Sequence, residues 1–210
     1  MTYFKLIIGI LSLSMFLNTQ NAYGYTPKRG NVTATLGPYV FKTNYANPEA
    51  GLTSPDQGGL ALTALGDVND SGSLEIAVIY MNKIYFRQDQ GMSVSEKTQL
   101  IHVTMGYRYW IGSYFSTSLG LYTSYPMGDV EILHDNFPPG KQITTTARKT
   151  TETGLDWALQ AELWSKNRFA LVVEGRYSLS LTKEPGEHSD QYGFSLGVRY
   201  FVQGPDEPKP

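Results

Sequence analysis

The chain has 210 residues, enough for one domain, with a net charge of −2 and no cysteine. That charge excludes the clustered Lys and Arg that nucleic-acid phosphates require, and the missing thiols exclude disulfides, thiolate metal sites and a lipidated N-terminal Cys. Charged residues make up 17% and aromatics 13%, with 15 Tyr, at a mean hydropathy of −0.27; a chain of this profile without an apolar run near ~20 residues suits a β-barrel in lipid rather than a membrane helix.

At the N-terminus, Lys5 precedes the apolar stretch Leu6-Ile7-Ile8-Gly9-Ile10-Leu11-Ser12-Leu13-Ser14-Met15-Phe16-Leu17, and Ala22-Tyr23-Gly24 follows as a small-x-small cleavage site. About twelve apolar residues is the length of a signal h-region and too short for a membrane-spanning helix. Residues 1–24 are therefore predicted to be a signal peptide and the mature chain to start near Tyr25. The competing reading is an uncleaved amphipathic or buried helix.

Two weakly alternating segments come next. Residues 31–42 set Val32, Ala34, Leu36 and Val40 against Thr33, Thr35, Gly37 and Tyr39, with Pro38 suggesting a bulge or edge-like irregularity. Residues 58–66 set Leu60, Leu62 and Ala64 against Ala61, Thr63 and Leu65.

The turn that follows, 67–75, places Asp67, Asn69, Ser71 and Glu75 at alternating positions around Gly72. Oxygen ligands at every second residue with a Gly at the bend imitate the start of a calcium loop, although Val78 stands where that loop carries its bidentate Glu. Calcium held by Asp67, Asn69, Ser71 and Glu75 is one expectation; a polar Asn-Asp-Ser-Gly hairpin turn is the other.

From Leu74 onward six segments repeat one alternating design, broken in the first only by Asn82. Leu74, Ile76, Val78, Tyr80, Ile84 and Phe86 share one face, with Glu75, Lys83 and Arg87 on the other. Ile101 to Tyr109, Phe115 to Leu121, Leu155 to Leu163, Phe169 to Leu179 and Tyr192 to Val202 repeat the design, their second faces carrying His102, Arg108, Asp156, Glu162, Glu174, Arg176 and Arg199 among Gly, Ser, Thr and Ala. Period two over ten or more residues means strand, because successive side chains point to opposite faces.

A soluble barrel would also alternate, so face composition decides. The polar face here is small residues with spaced charges of both signs, which suits a narrow filled lumen better than a watered surface. Aromatics gather near strand ends, Tyr107, Tyr109, Phe115, Phe169 and Tyr200 at one rim and Tyr80, Phe86, Tyr177 and Tyr192 toward the other, like two interfacial girdles. Tight turns at 111–114 and 165–168 alternate with long connections at 44–57, 88–97, 126–150 and 183–190, as periplasmic turns alternate with extracellular loops. The fold class expected is all-β: an eight-stranded antiparallel up-and-down transmembrane β-barrel over residues 25–203, both termini in the periplasm and residues 204–210 a disordered Pro-rich tail.

On these features the chain resembles the small eight-stranded outer-membrane proteins of the OmpA/OmpX/OmpW kind. The most specific piece is the last strand, Ser195-Leu196-Gly197-Val198-Arg199-Tyr200-Phe201-Val202, in which Ser195, Gly197, Tyr200 and Val202 fill the polar-x-Gly-x-x-aromatic-x-hydrophobic pattern that the family's barrel-assembly machinery recognises. The family pattern commonly ends on an aromatic, whereas here Gln203 and a Pro-rich tail follow. The resemblance implies the outer membrane of a Gram-negative envelope, with lipid and lipopolysaccharide around the barrel.

Interior charges removed from water should pair, so Glu75, Lys83, Arg87, His102, Arg108, Asp156, Glu162, Glu174, Arg176 and Arg199 are expected to form a lumen network. Catalysis is not expected: His102, His134 and His188 are the only imidazoles, and His188-Ser189-Asp190 are neighbours in sequence, which does not give triad geometry. No cofactor is expected beyond the calcium alternative. Function is expected to reside in the surface loops, above all 126–150 around Phe137-Pro138-Pro139-Gly140, as a structural or adhesion-type interaction with a surface ligand. The alternatives are a small channel for ions or solutes and a soluble periplasmic ligand-binding barrel.

Overall fold

The computed structural model of the protein describes residues 24–47 and 52–204. Apart from Gly24 and Gly204, the predicted signal peptide and tail lie outside the described residues. Eight long strands carry the fold: β1 (Val32–Thr43), β2 (Gln57–Asn69), β3 (Gly72–Asp89), β4 (Met92–Trp110), β5 (Phe115–Pro126), β6 (Glu152–Lys166), β7 (Phe169–Ser180) and β8 (Gln191–Gln203). Each pairs antiparallel with its neighbour in sequence, and β8 pairs with β1. The sheet closes on itself, as the alternation predicts. Closure satisfies the edge hydrogen bonds that an open sheet would leave bare.

The two faces separate by chemistry. Leu36, Leu62, Ile76, Met105, Leu119, Leu121, Leu159, Leu196 and Val198 point outward and are exposed. Thr33, Thr63, Glu75, His102, Arg108, Ser118, Asp156, Arg176 and Ser178 point inward and are buried. Apolar outside and polar inside is the reverse of a water-soluble protein. Exposed Tyr107, Tyr109, Phe115, Phe169 and Tyr200 gather toward one end, where the Phe169 and Tyr200 rings lie 5.1 Å apart, and exposed Tyr80 and Tyr192 toward the other.

The ends differ. Both described termini and the three short turns between β2 and β3, β4 and β5, and β6 and β7 lie at one end, called here the terminal end; the long connections lie at the loop end. There β3 and β4 outrun their neighbours, because β2 meets β3 only up to Met81 and β5 meets β4 only from Leu100. The hairpin beyond closes at Gln90–Gly91, both at positive φ (47° and 79°) as a tight two-residue turn requires. Residues 88–97 are thus strand and turn, not the long loop expected from their polarity. The short strand Glu131–Asp135 pairs with β4, and Glu187–His188 with β3.

This hairpin corrects the face assignment of Ile84 and Phe86. Their alternation continues, but they stand above the apolar belt and are buried against Tyr45, whose ring stacks 4.9 Å from that of Phe86. Nor does Pro38 make a bulge. The β1–β8 register is the same on either side of it, with Leu36 opposite Val198 and Tyr39 opposite Ser195. The β1–β8 irregularity falls instead between Val32 and Thr33.

Gly37 is what lets the closing seam come together. A Cβ there would lie 2.3 Å from the Leu196 carbonyl oxygen and 2.6 Å from Gly197 Cα, both backbone atoms. Gly37→Ala is expected to lower the stability of the refolded barrel by ~1–3 kcal/mol through overpacking, read from the urea midpoint. Gly58→Ala, which meets no atom within 4 Å, is the control and is expected to leave the midpoint near that of the parent.

Candidate functional site

An eight-stranded barrel is just wide enough for side chains to fill its interior, and charges placed there lose their water. The centre of this lumen is an ion-pair cluster. Arg176 Nη2 lies 2.7 Å from Glu75 Oε1 and 2.9 Å from Glu174 Oε1, and its Nη1 lies 2.9 Å from Asp156 Oδ2. Arg108 Nη2 lies 2.6 Å from both Glu75 Oε2 and Glu174 Oε2, while its Nη1 donates to Ser116 Oγ at 3.0 Å. Gln160 Nε2 adds a donor to Glu174 at 3.3 Å.

His102 joins this cluster, its Nε2 2.9 Å from Asp156 Oδ2 and its Nδ1 3.0 Å from Ser124 Oγ. Thr104 donates to the same Asp156 oxygen. Asp, His and Ser together are the residue types of a hydrolytic triad, and the 188–190 run is not where they meet. His102, Asp156 and Ser124 are 0%, 1% and 0% exposed, inside the lumen and joined to the central ion-pair cluster. His134 lies 3.4 Å from Ser93 Oγ and His188 beside the Phe86 ring, each on a short strand that pairs with the loop-end hairpin.

Toward the loop end, Glu152 gathers three donor groups: Lys83 Nζ at 2.8 and 2.9 Å from its two oxygens, Tyr85 Oη at 2.7 Å and Tyr122 Oη at 2.9 Å. Glu152 was not in the expected network, because the alternation of its strand reads clearly only from Gly154. Above it the long loop turns back into the mouth as a 3-10 turn, Thr146–Arg148. Ala147 belongs to the buried apolar cluster formed with Tyr39, Phe41, Ala61, Ile79, Met81, Tyr85 and Leu100. The Thr145 backbone N–H and hydroxyl donate to Glu96 Oε2 at 3.1 and 2.7 Å, and Arg148 Nε to Glu96 Oε1 at 2.7 Å. The Thr146 N–H and hydroxyl donate to Glu187 Oε2 at 2.9 and 3.0 Å. Burial pushes the Glu187 carboxyl above its ordinary value, and these donors from Thr146 only partly offset it.

Arg87 is a correction to the expected lumen network. It stands above the lumen on the projecting hairpin, donating to the Thr144 carbonyl at 2.7 Å and the Pro185 carbonyl at 3.1 Å, and so ties two loops at the mouth. The other nine predicted network residues are buried inside.

The terminal end is closed differently. Arg199 pairs with Glu162, and its guanidinium lies 4.7 Å from the Tyr25 ring centroid and 5.2 Å from that of Trp110. The Tyr25 hydroxyl donates to Asp67 Oδ2 at 2.6 Å, Ser73 Oγ donates to Asp67 Oδ1 at 2.5 Å, and Trp110 Nε1 donates to Ser73 Oγ at 2.9 Å. Tyr25, Trp110 and Ser73 carry no pattern in the sequence that marks them as closing groups.

That arrangement also dissolves the calcium reading. Asp67 points into the barrel, and Glu75 lies farther up the lumen in the central cluster. Asn69 and Ser71 stay on the exposed turn, where Asn69 Oδ1 accepts from the Ser71 N–H at 2.9 Å and hydroxyl at 3.2 Å. The four oxygens do not converge, because β2 and β3 run on to within three residues of each other and spread alternate side chains along the barrel axis. Among the described residues no group of three or more His, Asp or Glu is arranged to hold a metal ion.

In β8 the assembly-pattern residues divide by face: Ser195 and Gly197 point inward, and Tyr200 and Val202 outward into the belt.

The crystal structure of the outer-membrane protein OprG of Pseudomonas aeruginosa is similar to this chain over 85% of its length and 98% of OprG, at 10% identity and a TM-score of 0.58. The chain has the fold of the small eight-stranded outer-membrane barrels. Ail, the attachment invasion locus protein of Yersinia pestis, matches 83% of the chain and 99% of its own at 14% identity and TM-score 0.48. Neisserial surface protein A matches 81% and 97% at 14% identity and TM-score 0.48. No protein-family model matches the chain, and no curated relative matches it in sequence.

Removing one guanidinium from the centre tests the cluster. Arg176→Met leaves Glu75, Glu174 and Asp156 short of their shared partner and is expected to destabilise the refolded barrel by ~3–5 kcal/mol. A urea midpoint unchanged from the parent would contradict the pairing described.

Proposed function

We propose that the protein is an outer-membrane barrel that serves as a rigid, non-conducting scaffold, its termini in the periplasm and its loop end displayed outside the cell for interaction with a partner. The observation that carries this reading is the filled interior. Arg108 and Arg176 are locked to three carboxylates across the lumen, with Ala147 seated in one mouth and Tyr25 in the other. The outward apolar belt with its aromatic rims supports a lipid surround, lipopolysaccharide included on the outer side, and speaks against a soluble ligand-binding barrel, whose apolar face would be turned inward. Export by the N-terminal signal and recognition of Ser195, Gly197, Tyr200 and Val202 by the barrel-assembly machinery belong to the same reading.

At the loop end the segment between β5 and β6 does two jobs. Its last part, Thr145–Ala147, is buried in the mouth, and Glu131–Asp135 is fixed along β4. Ile132 and Leu133 on the fixed strand and Met127 just ahead of it are exposed apolar residues. Loops held on a rigid scaffold are where binding residues concentrate. We place the interaction surface there, with an adhesion-type role and no catalysis.

Planar bilayer recording of the purified protein tests the reading against a channel. A flat baseline with no unitary steps is expected. Steps of constant size would overturn the scaffold reading and favour a conducting path for ions or small solutes.

A further inference from the structure

The terminal end of the barrel is a socket shaped around one residue. The Tyr25 ring lies 4.6 Å from that of Trp110 and 4.7 Å from the Arg199 guanidinium, and its hydroxyl reaches Asp67 at 2.6 Å. The main chain of the same residue faces a carboxylate, for the Tyr25 N–H and the Ser165 hydroxyl both lie against Glu162. Glu162 is only 8% exposed; Arg199 occupies its Oε2, and its Oε1 has no hydrogen-bond partner. A buried acceptor left without a donor costs roughly 1–3 kcal/mol. This acceptor belongs to the carboxylate that holds the main-chain nitrogen following Ala22-Tyr23-Gly24.

We propose that hydrolysis of the Gly24–Tyr25 peptide bond creates the group this socket is built to hold, the Tyr25 α-ammonium, which pairs with Glu162. The inference rests on the export reading given above. In the hydrolysis, water's oxygen bonds to the Gly24 carbonyl carbon as the C–N bond breaks. Both of water's protons end on the departing nitrogen, leaving a Gly24 carboxylate and a Tyr25 ammonium at neutral pH.

The exchange changes what the nitrogen can do. An amide offers one N–H and no charge, whereas an ammonium offers three donors and a full positive charge. One of the added donors supplies the Glu162 oxygen that lacks a partner. That leaves one further donor, and Tyr25 borders a cleft of about 610 Å³ lined by Ser165, Asn167 and Arg199 among its walls. Glu162, shared in the uncut chain between one guanidinium and neutral donors, gains a second cation.

The uncut chain leaves the socket through a narrow gap. A Cβ on residue 24 would lie 2.7 Å from the Ser113 carbonyl oxygen and 2.7 Å from its Cβ, so the residue ahead of Tyr25 fits there as glycine. Processing therefore completes the terminal mouth: the ring and hydroxyl of Tyr25 already close the end of the lumen, and cleavage adds the charge of its nitrogen against Glu162.

Two measurements test this. Sequencing the N-terminus of the protein recovered from the outer membrane should read Tyr25-Thr26-Pro27. The second compares three refolded chains: one beginning at Tyr25, one beginning at Gly24, and one beginning at Tyr25 with Glu162→Gln. Acylation of the α-amine at pH 7 is followed by mass spectrometry. An ion pair that raises the amine about one unit above its usual ~7.7–8.0 leaves about a tenth as much free base, so the Tyr25 chain should react about tenfold more slowly than the other two. A native N-terminus elsewhere, or equal rates for the Tyr25 and Gly24 chains, overturns the proposal. Those two chains keep every side chain of the barrel, so they decide the matter even if Glu162→Gln does not refold. Recovery of the protein from the soluble fraction would count against the membrane reading alone, since the acylation comparison on refolded chains stands apart from it.

Discussion

Two guanidinium groups and three carboxylates share the middle of a space too narrow to hydrate them. Each of Arg108, Arg176, Glu75, Glu174 and Asp156 would be expensive alone, and each is tolerable only because the others stand within hydrogen-bonding distance. They come from β3, β4, β6 and β7, so the pairing crosses the lumen and links strands that the backbone ladder does not join. A slip of one residue in any of these strands would turn its charges into the surrounding apolar layer and leave the partners unpaired. The cluster therefore fixes register and fills the lumen with the same atoms.

The two closures follow from that centre. Once the interior is occupied by charge, the groups at either mouth must be polar enough to meet it and bulky enough to exclude water. At the loop end this is done by returning chain, with Thr145 and Thr146 anchored on Glu96 and Glu187 and Ala147 set into the apolar layer beneath. At the terminal end it is done by one aromatic residue seated against both Trp110 and Arg199. The first closure uses a loop that would otherwise be free for contact, so the part ahead of Thr145 remains the displayed surface. Scaffold and interaction surface are in this way parts of one segment.

Much of the barrel was legible in the sequence because lipid-facing and lumen-facing residues must alternate. Leu159 beside Gln160, and Leu121 beside Tyr122, reveal the two faces without any structure. Charge pairing was legible as a class, since buried charges of both signs on inward positions have nowhere else to go. Which charges pair with which was not, because Arg176 and Glu75 are brought together by barrel closure across a hundred residues of chain. The hairpin beyond the belt was misread for a related reason. Residues 88–97 face loops rather than lipid, so no apolar face marks them as strand, and Phe86 is buried by Tyr45 from a distant loop. Of the two readings of 67–75 the polar hairpin turn is the one the structure shows, because spacing of oxygens in sequence is not proximity in space. In a strand pair that spacing spreads the side chains along the axis. Tyr25 gave no signal, since a single aromatic near a cleavage site matches no periodicity.

The measurement that bears most directly on a solid, charge-filled lumen is thiol accessibility in a chain that has no cysteine of its own. Single cysteines at Ser118, Ala158 and Ser178, all inward and buried, would be exposed to a small charged methanethiosulfonate reagent in the refolded protein. The account predicts that these positions stay unlabelled until the barrel is unfolded, while a cysteine at Asp70, on the exposed turn, labels at once. Rapid labelling of the inward positions in the folded protein would show water standing along the axis and would contradict it.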